Sequence, residues 1–163
     1  MPLVRHRLAG FTLIEVVVVL LLIGIISALV VVNVAPDDKK ELRIESERLA
    51  SLFEQASMDA RVSGRTIGWS VDGNGYRFQE KSQDSDWVDM NDAIYRRHVL
   101  PTGMKIQSIS INQVSMAAED QLVFSPSGIN PPFDMVMSKR RVRMRIAGDT
   151  MNRVTVEPYD LGQ

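Results

Sequence analysis

Between Leu13 and Ala35, only Glu15, Ser27 and Asn33 interrupt a run of Val, Leu, Ile, Ala and Gly. About 20 apolar residues are enough to cross a bilayer as a helix. The flanks orient that helix. Arg5, His6 and Arg7 precede the run, whereas Asp37 and Asp38 come first after it. Positive residues are retained in the cytoplasm, so the short amino terminus stays inside and the bulk of the chain is exported. In a Gram-negative cell this predicts a single-pass inner-membrane protein whose residues beyond about Asn33 are periplasmic. One residue resists this reading. Glu15 stands at the head of the apolar run, where an unpaired carboxylate costs a few kcal/mol on insertion scales.

A secretory signal peptide has an apolar region of about 7–15 residues and a small-residue cleavage site after it. Here the run is longer, and no A-x-A site closes it before "NVAPDDKK". A generic anchor explains neither the "AG" before the run nor the glutamate inside it. "GFTLIE", behind a short basic leader and ahead of an apolar helix, resembles the class III signal of type IV pilins and type II secretion pseudopilins. The resemblance implies cleavage between Gly10 and Phe11 by a prepilin peptidase on the cytoplasmic face, followed by N-methylation of Phe11. Such a cut leaves the helix in place and creates a terminal amine. A carboxylate in low dielectric needs a cation nearby, and a neighbouring subunit's amine would meet Glu15 during assembly.

The remaining chain reads as one modest domain of a 163-residue protein. Pro36 breaks or kinks the helix and allows an immediate restart, with Asp37 and Asp38 at the positive end of the dipole. Leu42, Leu49, Leu52, Phe53, Ala56 and Ala60 then recur at helical spacing, and Glu41, Glu45 and Glu47 are assigned to the opposite, wet side. Gly64 is a natural stop. A kinked helix from Phe11 to Ser63 would be roughly 80 Å long at 1.5 Å per residue.

After Gly64 the period changes to two. Ile67, Trp69 and Val71 alternate, "DGNG" turns the chain, and Tyr76 and Phe78 alternate again, which predicts a hairpin. "MKIQSISI", "DQLVFS", "FDMVMS", "RVRMRIA" and "NRVTVEP" are further strands, with "SPSG" and "NPPF" as turns. The expected fold is α+β: a long amino-terminal helix packed on a mostly antiparallel sheet. The expected organisation is a cleaved leader over 1–10, a transmembrane helix over 11–35, an amphipathic helix over 36–63 and a β-rich domain over 64–163.

Chemistry-bearing clusters are few. The absence of cysteine excludes disulfides, thiolate metal sites and thiol catalysis. The two histidines are His6, in the leader, and His98, which is read as a surface or packing residue. No enzyme, cofactor or metal is expected. "VDGNGYRF" lacks the later ligands of a calcium loop and is read as a turn. Asp84, Asp86, Asp89 and Asp92 form a solvated loop, with calcium as the minor alternative. The strongest charge feature is "SKRRVRMR", where Arg141, Arg143 and Arg145 alternate with apolar residues and form one wet strand face. Those arginines are candidates for an acidic partner or DNA. The net charge of −1 gives no global case for nucleic acid.

Further segments carry a second, looser resemblance. "ASMDARVSGRTIGWSVDGNGYRF", "RRHVLPTGMKI" and "QLVFSPSGINPPFDMVM" are similar to minor pseudopilin H of type II secretion, in the family that includes the FimT and FimU-like minor pilins. The resemblance implies a transport component at the tip region of a periplasmic pseudopilus that exports folded proteins. Its implied partners are the major pseudopilin, other minor pseudopilins of the I, J and K types, and the prepilin peptidase. The alternative is a minor pilin of a pilus or DNA-uptake machine. The acidic ending "VEPYDLGQ" departs from the basic carboxy-terminal segment by which competence-type relatives bind DNA.

Overall fold

The computed structural model describes residues 13–33, 37–117 and 119–160, without the side chains of 26–33. The chain divides into two units, Met1–Pro36 and Asp37–Gln163. In the first unit the apolar run forms helix α1, Leu13–Asn33. Its side chains from Leu13 to Ile25 are all exposed. Among the described residues no helix is long and apolar enough to cross a membrane. The described side chains of α1 stop at Ile25, whereas its backbone runs on to Asn33. The expected junction between the helices, 34–36, lies outside the described residues.

The second unit begins with helix α2, Asp38–Ser63. The expected start at Pro36 moves two residues along, because Asp37 serves as the cap. Its carboxylate accepts from the amides of Lys39 and Lys40, satisfying two of the donors that a helix start leaves free. Gly64 closes the helix at φ 70°, a left-handed conformation that glycine adopts without a Cβ penalty.

The buried face of α2 comprises Leu42, Glu45, Ser46, Leu49, Ala50, Phe53, Ala56, Ser57 and Ala60. Glu45 is therefore not on the wet side. It lies three residues beyond Leu42 and four before Leu49, the spacing of one helical face.

Two antiparallel sheets follow. The first joins β1 (Ile67–Val71), β2 (Gly75–Lys81), β3 (Trp87–Asp89) and β7 (Leu122–Phe124) in the order β3-β2-β1-β7, with β4 (His98–Val99) also on β2. The second joins β5 (Met104–Ile111), β6 (Val114–Ser115), β8 (Phe133–Lys139), β9 (Val142–Gly148) and β10 (Val154–Pro158) in the order β10-β9-β8-β5-β6. This is the expected α+β architecture. The β1–β2 hairpin closes at Val71↔Tyr76, with Asp72 and Gly75 exchanging backbone hydrogen bonds around Gly73 and Asn74. Strands β3, β4 and β6 are additions to the expected set. They have two or three residues each, too few to show a period.

Phe53 joins the two sheets under the helix. Its ring meets Trp69 edge-on at 5.3 Å, Phe124 at 5.7 Å and Phe133 at 5.2 Å. Trp69 and Phe124 belong to the first sheet and Phe133 to the second. Met135, Met137, Met144 and Ile146 fill the second sheet's inner face, and all are almost fully buried.

Candidate functional site

Glu15 is the acidic residue in the first turn of α1 and is exposed. A carboxylate there faces the positive end of the helix dipole, a small favourable contribution of about 0.3–1 kcal/mol. Gly10 and Phe11, the residues expected to flank the cut, lie outside the described residues.

The basic segment is divided by its fold. Lys139 ends β8 and Val142 opens β9 directly opposite, so Arg140 and Arg141 form a two-residue turn. Arg141 thus sits at the hairpin tip, not on the strand face where the alternation placed it. Arg143 and Arg145 do lie on β9. Arg143 Nε donates to Gln107 at 3.1 Å. Arg145 is paired with Asp134 on β8 and with Glu157 on β10, the latter at 2.8 Å. The hydrogen bonds it donates to these two carboxylates raise the already high pKa of its guanidinium. The last cation of the expected wet face, Arg145, is therefore committed to holding three strands together.

Lys139 is committed too. Its side chain is 9 % exposed, and Nζ pairs with Glu41 and, at 3.2 Å, with Asp38 of the first turn of α2. Arg140 Nη1 reaches the other Asp38 oxygen at 3.0 Å. Burial pushes Asp38 up, but hydrogen bonds and charge from Lys139 and Arg140 outweigh it and hold the carboxyl below its usual range. The hydrogen bond to Glu41 leads the causes that raise Lys139. Sequence spacing carried no sign of this clamp, because its partners are about 100 residues apart.

A second polar cluster explains the buried glutamate. Glu45 Oε1 lies 2.8 Å from His98 Nε2 and 3.2 Å from Arg48 Nη1. Arg48 Nη1 is also 2.9 Å from His98 Nδ1. The same arginine nitrogen is closer still to His98 Nε2, at 2.7 Å, so the arginine and the glutamate meet at one edge of the imidazole. Tyr76 packs on the same ring at a centroid distance of 5.1 Å. Nearby, Tyr95 donates its hydroxyl to Asp59 at 2.6 Å, and Arg97 pairs with Asp72 at 2.7 Å. The segment 95–98 is thereby tied to both α2 and the β1–β2 hairpin. His98 is a packing residue with a polar task. Burial, the first cause in each case, pushes the Tyr76 and Tyr95 phenols well above their ordinary value.

The acidic loop spends part of its charge locally. Asp89 accepts from Gln79 at 2.8 Å, and Asp92 caps the amides of Ile94 and Tyr95. Among the described residues no group of three or more His, Asp or Glu side chains is arranged to hold a metal ion.

The family model described as type II transport protein GspH matches residues 45–157, most of the chain. The chain belongs to the GspH family. A second model, the prokaryotic N-terminal methylation motif, matches residues 5–31 and so includes Gly10, Phe11 and Glu15. A curated GspH-type relative is the type II secretion system protein H of Aeromonas hydrophila. It is 25 % identical over 154 residues, covering 83 % of this chain and 84 % of the relative. Two solved structures of the minor pseudopilin EpsH from the type II secretion system of Vibrio cholerae share the fold. They superpose with TM-scores of 0.63 and 0.60 at 18 % and 16 % identity. Each covers 76 % of this chain, and the matches span 99 % and 98 % of the solved chains.

Proposed function

We propose that this GspH-family chain is a minor pseudopilin working in the tip region of a periplasmic pseudopilus, which drives export of folded proteins across the outer membrane. The observation that carries the reading is the presence, in one chain, of the methylation motif over residues 5–31 and the GspH match over residues 45–157. The first is what a subunit inserted by its amino-terminal helix is expected to carry; the second, together with the secretion-system relative, supports the secretion branch over pili and DNA uptake. The pairing of Arg145 with Asp134 and Glu157 further weakens the DNA reading.

In this scheme prepilin peptidase cuts between Gly10 and Phe11, and the new terminus is methylated on Phe11. The helix over 11–35 spans the inner membrane, with the amphipathic helix over 36–63 and the β-rich domain over 64–163 in the periplasm. Magnitudes support the insertion. The 21 residues of α1 rise about 31 Å, close to the ~30 Å of hydrocarbon. Eleven large apolar side chains from Leu13 to Ile25 are exposed in the isolated chain. At roughly 1.5–3 kcal/mol for each full burial, leaving them in water forgoes on the order of 15–30 kcal/mol, more than a whole domain's net stability. Lipid or neighbouring helices must cover them. During assembly Glu15 pairs with a neighbouring subunit's amine, and the chain links the major pseudopilin to minor pseudopilins of the I, J and K types.

Mass spectrometry of the membrane-purified protein tests the processing step. A chain starting at methylated Phe11 is expected; an intact leader overturns it. Crosslinking in the assembled system tests the role, with contacts to other pseudopilins expected and their absence counting against it.

A further inference from the structure

The turn between β8 and β9 uses residues its backbone does not favour. Arg140 sits at φ 52° in a two-residue hairpin, where Asn, Asp or Gly is expected. Arg141 follows it, exposed. A bulky cation retained in a left-handed conformation points to a use for its charge.

The surroundings concentrate that charge. Lys39 and Lys40 are exposed on the first turn of α2, which Asp38 joins to the hairpin through Arg140 and Lys139. Lys105, also exposed, pairs across β5–β8 with Ser138, next to the tip. Six cations (Lys39, Lys40, Lys105, Lys139, Arg140 and Arg141) thus face three carboxylates, Asp37, Asp38 and Glu41, in a chain whose overall charge is −1. Arg43 is paired separately with Glu47. Asp38 and Glu41 are engaged with Lys139; Arg140 also touches Asp38 but keeps a 73 % exposed side chain, and Arg141 is exposed and in no described ion pair.

Along the chain this end of the domain comes first after the apolar helix: Asp38 is five residues beyond Asn33. We propose that the Arg140–Arg141 tip, with Lys39, Lys40 and Lys105, docks on the anionic phospholipid headgroups of the membrane that holds α1. The proposal rests on the insertion of α1 argued above. Guanidinium groups suit headgroup phosphates because they donate two parallel hydrogen bonds to one anion. Each cation held near an anionic surface contributes about a five-fold gain in affinity, and the effect fades within a Debye length. Such a contact orients the domain before assembly and is broken when the subunit leaves the bilayer.

The full chain reconstituted in nanodiscs provides the test. Hydrogen exchange is compared between phosphatidylcholine discs and discs that also contain phosphatidylglycerol. The expected result is slower exchange over residues 139–143 and the first turn of α2 in the anionic discs alone. High salt should reverse it, and R140Q/R141Q should abolish it. The single variant R141Q alters no described ion pair and should weaken the protection about five-fold while leaving the melting temperature unchanged. Equal exchange in the two discs, or protection that ignores salt and both variants, overturns the contact while leaving the anchor intact. Protection given instead by duplex DNA added to phosphatidylcholine discs overturns the lipid assignment in favour of nucleic acid. A chain that fails to enter discs overturns the anchor and this proposal together.

Discussion

Helix α1 carries eleven exposed large apolar side chains between Leu13 and Ile25 and a single charge, Glu15. Helix α2 spreads its apolar residues along one stripe and buries Leu42, Leu49, Phe53, Ala56 and Ala60 completely. Both are helices of more than 20 residues in one chain. The difference is where the burial free energy comes from. For α2 it is internal, supplied by two sheets; for α1 it must come from lipid or other subunits. A substitution in α2 should therefore be read by folding measurements, and one in α1 by membrane and assembly measurements.

The strongest way to break this contrast is Phe53→Ala. Its ring touches both sheets, so truncation should cost about 3–5 kcal/mol, a large share of the roughly 5–15 kcal/mol available to a domain. Denaturant unfolding would measure it, and Leu20→Ala in α1 should leave the same transition unmoved. If the two variants destabilised the domain equally, the contrast would fail.

Glu15→Ala reverses the pattern. The domain's melting temperature and leader cleavage should be largely unchanged, whereas incorporation into filaments should fall by at least ten-fold, as expected when a desolvated amine loses its counter-charge. Normal incorporation would remove Glu15 from assembly. Within the domain, His98→Ala should cost about 1–3 kcal/mol, because Glu45 stays buried with Arg48 as its remaining partner. Calorimetry giving no change would show that water replaces the imidazole without penalty.

The smallest expected effect belongs to the clamp on the first turn of α2. Asp38 is lowered from 3.8, so its contribution is present above that value and disappears as pH falls through the folded pKa below it. Lys139 is raised from 10.5, so its contribution is complete below that value and disappears as pH rises through the folded pKa above it. The difference in unfolding midpoint between the protein and Lys139→Met should hence be flat across the middle of the pH range and shrink at both ends. A difference that changes around neutral pH would show that the clamp is not its source.

What the residues announced and what they concealed divides along a physical line. Local patterns were legible: the stripe of α2, the stop at Gly64, the hairpin at Gly73 and Asn74, and the strand Met104–Ile111. Each depends on neighbours within a few positions. The strands at Trp87, His98 and Val114 were not, because so few residues become strand only by pairing with one already formed. The basic segment misled for a related reason. Its charges looked like one wet face, yet Lys139 finds Glu41 and Arg145 finds Asp134 through tertiary contacts that spacing does not encode. Glu45 is the instructive exception. Its place in the stripe was visible, but its charge was given more weight than its position.

The indole of Trp87 lies over Gly68, close enough that a Cβ there would collide with it and with Gln121. The other tryptophan, Trp69, is fully buried against Phe53, and its Nε1 has no hydrogen-bond partner. The chain therefore carries two fluorophores in contrasting settings, one sealed in apolar core and one half-covered on the outer surface of the same sheet. Emission from Trp69 should lie to the blue and resist iodide, whereas Trp87 should be quenched. Gly68→Ala would shift the second signal and leave the first, so the two faces of a single strand can be followed separately by light.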